Sequence, residues 1–289
     1  MSIDATPSRV ETATAPDSTA IGVAGGPLGR RLVRQLVNAW RLWPLALLVI
    51  IAVIGPAVTP YATDKTVGTT YLSPNGDYWF GTDGSGFDIF SRTVAATRLN
   101  MILAALVAVA STVIGAALGL LLGMNESRNG PVGATARALT RMLDLVQAVP
   151  AILIGLVIVA FFGTSNTTLV AAMAIILSPI QARLVRTETL RVRSEAYLDA
   201  ARMAGRSELH LTFRHAMPNA IGPALLNISV MFAVAIIITA ALGFVGAGVP
   251  PPTPEWGQML SKGATDAQVG RWWVGMFPAL ALALSVAAV

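Results

Sequence analysis

"MILAALVAVASTVIGAALGLLLGM", residues 101–124, contains no charged side chain. A helix of about 20 mainly apolar residues covers the hydrocarbon core of a bilayer, so this stretch reads as a transmembrane span. The rest of the chain agrees. Of its 289 residues 54% are hydrophobic and 12% charged, whereas an ordinary soluble domain carries about 25% charged residues. The charges are clustered, and six apolar segments lie between the clusters, at about 42–59, 100–124, 142–163, 168–184, 221–247 and 272–289. Each is expected to be helical, because lipid offers no partner to an unpaired backbone group. The fold class is therefore an all-α polytopic membrane protein with six transmembrane helices.

Within the opening stretch Ser111, Gly115, Gly119 and Gly123 recur every four residues. On a helix they line one side, where small residues let another backbone approach closely. That neighbour belongs either to this chain or to a partner subunit. Asp144 and Gln147 open the third segment as polar residues at the membrane edge. An ionisable group there is a candidate for a translocation pathway, while Arg141, three residues earlier, offers a structural pair.

The 20 Lys and Arg set the orientation. With the N-terminus inside, 15 of them fall in segments 1–41, 125–141 and 185–220 or the adjoining helix ends. Positive loops stay inside, so both termini are expected in the cytoplasm. Residues 1–29, rich in Thr, Ala, Ser and Gly without an apolar run, read as a disordered cytoplasmic tail rather than a cleavable signal. Residues 30–99 then hold the first span and an outer loop, and 100–289 a core of five spans with a cytoplasmic loop at 185–220. Trp40, Trp43, Trp79, Trp256, Trp272 and Trp273 fall at span ends or in outer loops, where indoles anchor at the headgroup level.

Several chemistries are excluded. There is no cysteine, so disulfides and thiolate sites are absent. His210 and His215 show no metal-ligand pattern, and no Gly-x-x-x-x-Gly-Lys-Ser/Thr loop is present to cradle a nucleotide. The basic charge is accounted for by membrane orientation and not by nucleic acid.

The polar stretch "YLDAARMAGRSELHLTFRHAMPNA" (197–220) interrupts the apolar segments. Residues 195–204 favour a helix, Gly205 suits a left-handed C-terminus, Ser207 caps a second short helix, and Pro218 is expected to close it. Its spacing of Asp199-Ala200-Ala201, three residues, Gly205, nine residues and His215-Ala216-Met217-Pro218 resembles the EAA motif of ABC-importer permeases. Asp, His and Met stand where that motif has Glu, Ile and Leu. "FGTDGSGFDIFSR" (80–92) is similar to the outer-loop signature GTDxxGRDxxSR of the C-type permease of dipeptide, oligopeptide and nickel importers. It supplies Gly81, Thr82, Asp83, Asp88, Ser91 and Arg92, with Phe87 in place of Arg. "FRHAMPNAIGPAL" (213–225) and "LGFVGAGVPPPTPEWGQML" (242–260) follow the same family.

The resemblance implies a type I importer-like permease that is not itself an enzyme. It implies half of a pathway for di- and oligopeptides, in the plasma membrane of a prokaryote. The alternatives are nickel or another small solute, and from another class an ion-gradient-driven transporter using Asp144. The implied partners are a homologous permease subunit, two cytoplasmic ATPase subunits holding ATP and Mg, an extracytoplasmic substrate-binding protein and membrane lipid. Asp199, Ala200, Ala201, Gly205 and Pro218 would form the ATPase-coupling element. The proline-rich loop 248–258 would be a rigid outer rim or a dock for the binding protein.

Overall fold

The computed structural model describes residues 43–289; the expectations for residues 1–42, among them the tail at 1–29 and Trp40, lie outside the described residues. The helices there are α1 Trp43–Val58, α2 Ile89–Asn125, α3 Pro131–Ala148, α4 Ala151–Phe162, α5 Asn166–Arg193, α6 Ala196–Met203, α7 Glu208–Leu211, α8 Met217–Ala220, α9 Gly222–Leu226, α10 Ile228–Phe244, α11 Trp256–Ala267 and α12 Trp273–Ala287.

Residues 101–124 lie inside α2, whose 37 residues make it about 55 Å long at 1.5 Å per residue. It starts at Ile89, well before the expected 100, because Asp88 caps it: the carboxylate accepts the Ser91 backbone N–H at 2.7 Å. Arg92 and Arg98 in its first turns hid that start from an apolar count. Helix α5 runs 28 residues and continues to Arg193, beyond the expected end at 184. Pro179 inside it lacks an N–H, and the Ser178 hydroxyl donates to the Ile175 carbonyl thereby freed, at 2.9 Å.

The small-residue stripe of α2 faces α5 of the same chain. A Cβ on Gly115 would lie 2.6 Å from the Ser178 carbonyl oxygen, and one on Gly119 2.6 Å from that of Ala182. One on Gly123 would lie 2.7 Å from Thr189 Cβ. At the middle of this seam buried Gln181 donates to Thr112 Oγ1 at 2.8 Å and to the Ala224 carbonyl at 3.3 Å. It accepts from Asn227 Nδ2 at 3.2 Å. Asn227 marks a break between α9 and α10, so the fifth expected span is two helices.

The third expected span, 142–163, is also not continuous. α3 and α4 meet at 93°. Pro150 offers no N–H to a helix, and its ring holds Val149 extended at φ −86, ψ 131. Among the described residues only α2 and α5 are long and apolar enough to cross a bilayer alone, with α3–α4 a third if the bent pair counts as one span. The other expected spans are the shorter apolar helices α1, α10 and α12.

The main core gathers Ile89, Leu103, Val107, Met173, Leu177, Ile236 and Leu242 around Trp256. Trp256 is fully buried and donates from Nε1 to the Thr93 carbonyl at 3.1 Å. It is a core residue and not the interfacial anchor expected of it. The reason is α11, an additional helix that lays Trp256 against α2 and α10.

Candidate functional site

Three places carry the residues of interest. The first is the cap formed by residues 59–88 and 248–258 at the start of α2. Gly81 has φ +77, and a Cβ there would meet the Leu72 carbonyl oxygen at 2.4 Å; only glycine fits. Thr82 Oγ1 donates to the Thr69 carbonyl at 2.6 Å and accepts from Leu72 N at 2.8 Å. Asp83 Oδ1 accepts from Ser85 N at 2.8 Å and Phe87 N at 3.0 Å, and Asp88 caps α2. Ser91 Oγ accepts from Tyr61 N at 3.3 Å. Arg92 donates to the carbonyls of Thr63 at 2.6 Å and Pro252 at 3.2 Å, and its guanidinium lies 4.5 Å from the Phe87 ring centroid. Phe87, in place of Arg, thus gives Arg92 an aromatic face to lie on. Thr82, Asp83, Asp88, Ser91 and Arg92 are all buried. They stitch the loop onto the helix and present no contact surface.

The loop 248–258 owes its stiffness to more than proline. Buried Glu255 accepts from Gly257 N at 2.7 Å and Gln258 N at 3.0 Å. Burial pushes its carboxyl above the usual range, and those two N–H groups oppose the shift.

The second place is the polar loop. Gly205 has φ +76, and Arg206 N donates back to the Ala201 carbonyl at 3.2 Å, closing α6 with the six-to-one bond of a Schellman turn. Ser207 caps α7 by accepting from His210 N at 3.3 Å. Pro218 does not end this element. A π-turn at Thr212–Ala216 widens the helix by one residue, with Met217 N donating to the Thr212 carbonyl, and Pro218 then sits in the first turn of α8. The polar stretch has a small core of its own, in which Leu198, Leu211 and Ala216 pack with Met124 of α2 and Val192 of α5, and Ala201 closes over them. Helix α6 is therefore joined, through Leu198, to the same small core as the ends of both seam helices. The side chains of Asp199 and Ala200 lie outside the described ones. Tyr197, Met203 and Phe213 remain exposed.

The third place joins α3 to α5. Asp144 pairs with Arg183 at 2.7 Å and not with Arg141; both partners are more than half exposed. An i,i+3 partner lost to one 39 residues away, which no local spacing reports. Gln147 lines the same small cavity, and its Nε2 is buried without a hydrogen-bond partner. One turn further along α5, Arg186 holds Glu126 with two bonds of 2.6 and 2.7 Å. Arg183, Arg186, Glu126 and Gln181 were all missed as site residues.

Residues 115–289 match the family model of the binding-protein-dependent transport system inner membrane component. The chain belongs to this family. It is a transporter permease, built as a polytopic helical membrane protein. Over 263 residues it is 34% identical to a putative peptide transport system permease protein of Brucella suis biovar 1, covering 90% of this chain and 86% of the relative. Over 252 residues it is 35% identical to the di/tripeptide transport system permease protein DppC of Pseudomonas aeruginosa, covering 85% and 81%. The glutathione transport system permease protein GsiD of Pectobacterium atrosepticum is 34% identical over 261 residues, with 90% and 84% covered. A chain of the MetNI methionine ABC transporter, solved in inward-facing conformations, shares the fold with a TM-score of 0.52 at 18% identity. That likeness covers 68% of this permease and 93% of that chain. The family match takes in the seam glycines, the α3–α4 bend, the polar loop and the 248–258 part of the cap, and leaves out residues 59–88.

Proposed function

We propose that this permease forms half of the pathway of an ATP-driven importer of di- and oligopeptides. Its relatives named for peptide, di/tripeptide and glutathione transport support the substrate class. A second homologous permease completes the pathway, a substrate-binding protein delivers peptide from outside, and two ATPase subunits bind ATP and Mg in the cytoplasm. Both termini lie on the cytoplasmic side in this reading, which the distribution of Lys and Arg supports.

The observation that carries this reading is the seat of α6. Its Leu198 shares a small buried core with Leu211, Ala216 and, from the last turns of α2 and α5, Met124 and Val192. An ATPase subunit that grips α6 through exposed Tyr197 and Met203 moves both long helices at once. ATP biases inward- against outward-facing states through the free-energy difference that this grip makes between them. Gly205 fixes the direction in which α6 leaves the loop, and a Cβ there would meet no atom within 4 Å. A Gly205→Val substitution therefore acts through backbone strain and not through a clash. In the reconstituted importer, ATP hydrolysis is expected to continue while peptide uptake per ATP falls at least tenfold. Unchanged uptake removes the coupling role.

A further inference from the structure

We propose that Asp144, Arg183 and Gln147 form a contact site for the two charged ends and the backbone of a peptide in transit. The proposal rests on the peptide reading above. Two ion pairs lie one turn apart on α5, and they differ in kind. Arg186 and Glu126 make two bonds and are 24% and 18% exposed; this is a clasp between α5 and the end of α2. Arg183 and Asp144 make one contact, Nη2 to Oδ1 at 2.7 Å, and are 56% and 54% exposed. A pair so open contributes little to stability. Charges in an apolar span are rare and mark pathways, and exposed Met142 and Leu145 flank Asp144 on α3. Arg183 lies ten residues before Arg193, the end of α5, which is about 15 Å along the helix.

The chemistry fits a zwitterion. A carboxylate takes an ammonium, and a guanidinium takes a carboxylate in a forked geometry. The buried Gln147 Nε2, which has no acceptor, is a donor for a peptide carbonyl. The small, partly open cavity beside them measures about 10 Å³, room for one water. A peptide therefore enters by parting Asp144 from Arg183 and exchanging one ion pair for two, so neither charge is left alone before or after. The bend at Val149–Pro150, just beyond Asp144 on the chain, supplies the joint about which α3 moves.

The test uses the assembled importer in nanodiscs, without nucleotide and without binding protein. Equilibrium dialysis compares radiolabelled dialanine with its N-acetylated, C-amidated form. The expected result is that dialanine binds the wild type and that Asp144→Asn and Arg183→Gln each weaken it at least tenfold. The capped peptide binds all three alike, however weakly. Arg183→Lys keeps the charge pair but loses the fork, and should weaken dialanine several-fold in a normally assembled complex. Dialanine affinity unchanged in every variant, or lost equally for both peptides, overturns the site while leaving peptide uptake and the importer reading intact. A complex that takes up no peptide even with its binding protein overturns the importer reading and the site with it.

Discussion

The seam between α2 and α5 and the elbow between α3 and α4 are built from the same apolar alphabet, yet they behave as opposite parts. In the seam every fourth residue is small, a Cβ on each glycine would lie 2.5–2.7 Å from the facing helix, and the polar groups of Gln181, Thr112 and Asn227 satisfy one another. Inside lipid the hydrophobic effect favours no helix pair over lipid contact, so close packing of this kind is what holds helices together. In the elbow, buried positions of α3 are confined to Gly133, Ala136 and Thr140, and Phe161 and Phe162 of α4 are 83% and 77% exposed. The difference separates a bar from a joint. The small core of the polar loop includes residues from both ends of the bar, Met124 and Val192, and none from the elbow.

Breaking the seam should have the largest effect. A Gly115→Leu substitution places Cβ 2.5 Å from Gln181 Cβ and 2.6 Å from the Ser178 carbonyl, atoms of a helix interior that cannot retreat. Overpacking alone costs about 1–3 kcal/mol, and separating the helices opens the Gln181 hydrogen bonds as well. Thermal unfolding in detergent, followed by tryptophan fluorescence, should show the purified chain melting far below the wild type or failing to accumulate. A wild-type melt would mean that the seam is loose. Next in size is Arg186→Gln, which leaves the partly buried Glu126 carboxylate without its two donors. The same measurement should register a loss of about 1–3 kcal/mol.

These two regions also differ in how far they could be read from the chain. The four-residue recurrence of Ser111, Gly115, Gly119 and Gly123 marks a contact face directly, since helical periodicity is local; the identity of the facing helix is a matter of tertiary packing. Gly205 and Ser207 were legible for the same local reason, as helix caps involve only neighbouring backbone. Pro218 was misread because the π-turn before it places it in the first turn of α8, where a helix needs no N–H from it. Pro150 was in plain view, but the apolar content of 142–163 outweighed it in a count that measures oiliness and not continuity. The signature at 80–92 picked out Gly81, Thr82, Asp83, Asp88, Ser91 and Arg92 as a set, and all six are buried. That they are buried stitches appears only when loop 59–88 is folded over α2.

Within the elbow the expected effects are smaller and more telling. Pro150→Ala returns an N–H and frees Val149 from its extended conformation. Stability should change by about 1 kcal/mol or less, because little is packed at the bend. Spin labels placed at Met142 and Val157, on opposite sides of the bend, should move apart as the 93° angle opens. If they stay in place, packing and not the proline holds the bend.

The smallest stability effect belongs to Asp144→Asn. Both side chains of its ion pair are more than half exposed, so the Coulomb gain is offset by the entropy of fixing two side chains. The unfolding midpoint should move by no more than about 0.5 kcal/mol would produce. The contrast with Arg186→Gln is the sharpest available, since the two arginines lie three residues apart on one helix and each bonds a single carboxylate. Equal losses would make the elbow a second seam, closed by its ion pair and unable to part for a substrate. A clear loss at Arg186 and almost none at Asp144 leaves the Asp144–Arg183 pair free to open, as the passage of a peptide between α3 and α5 requires.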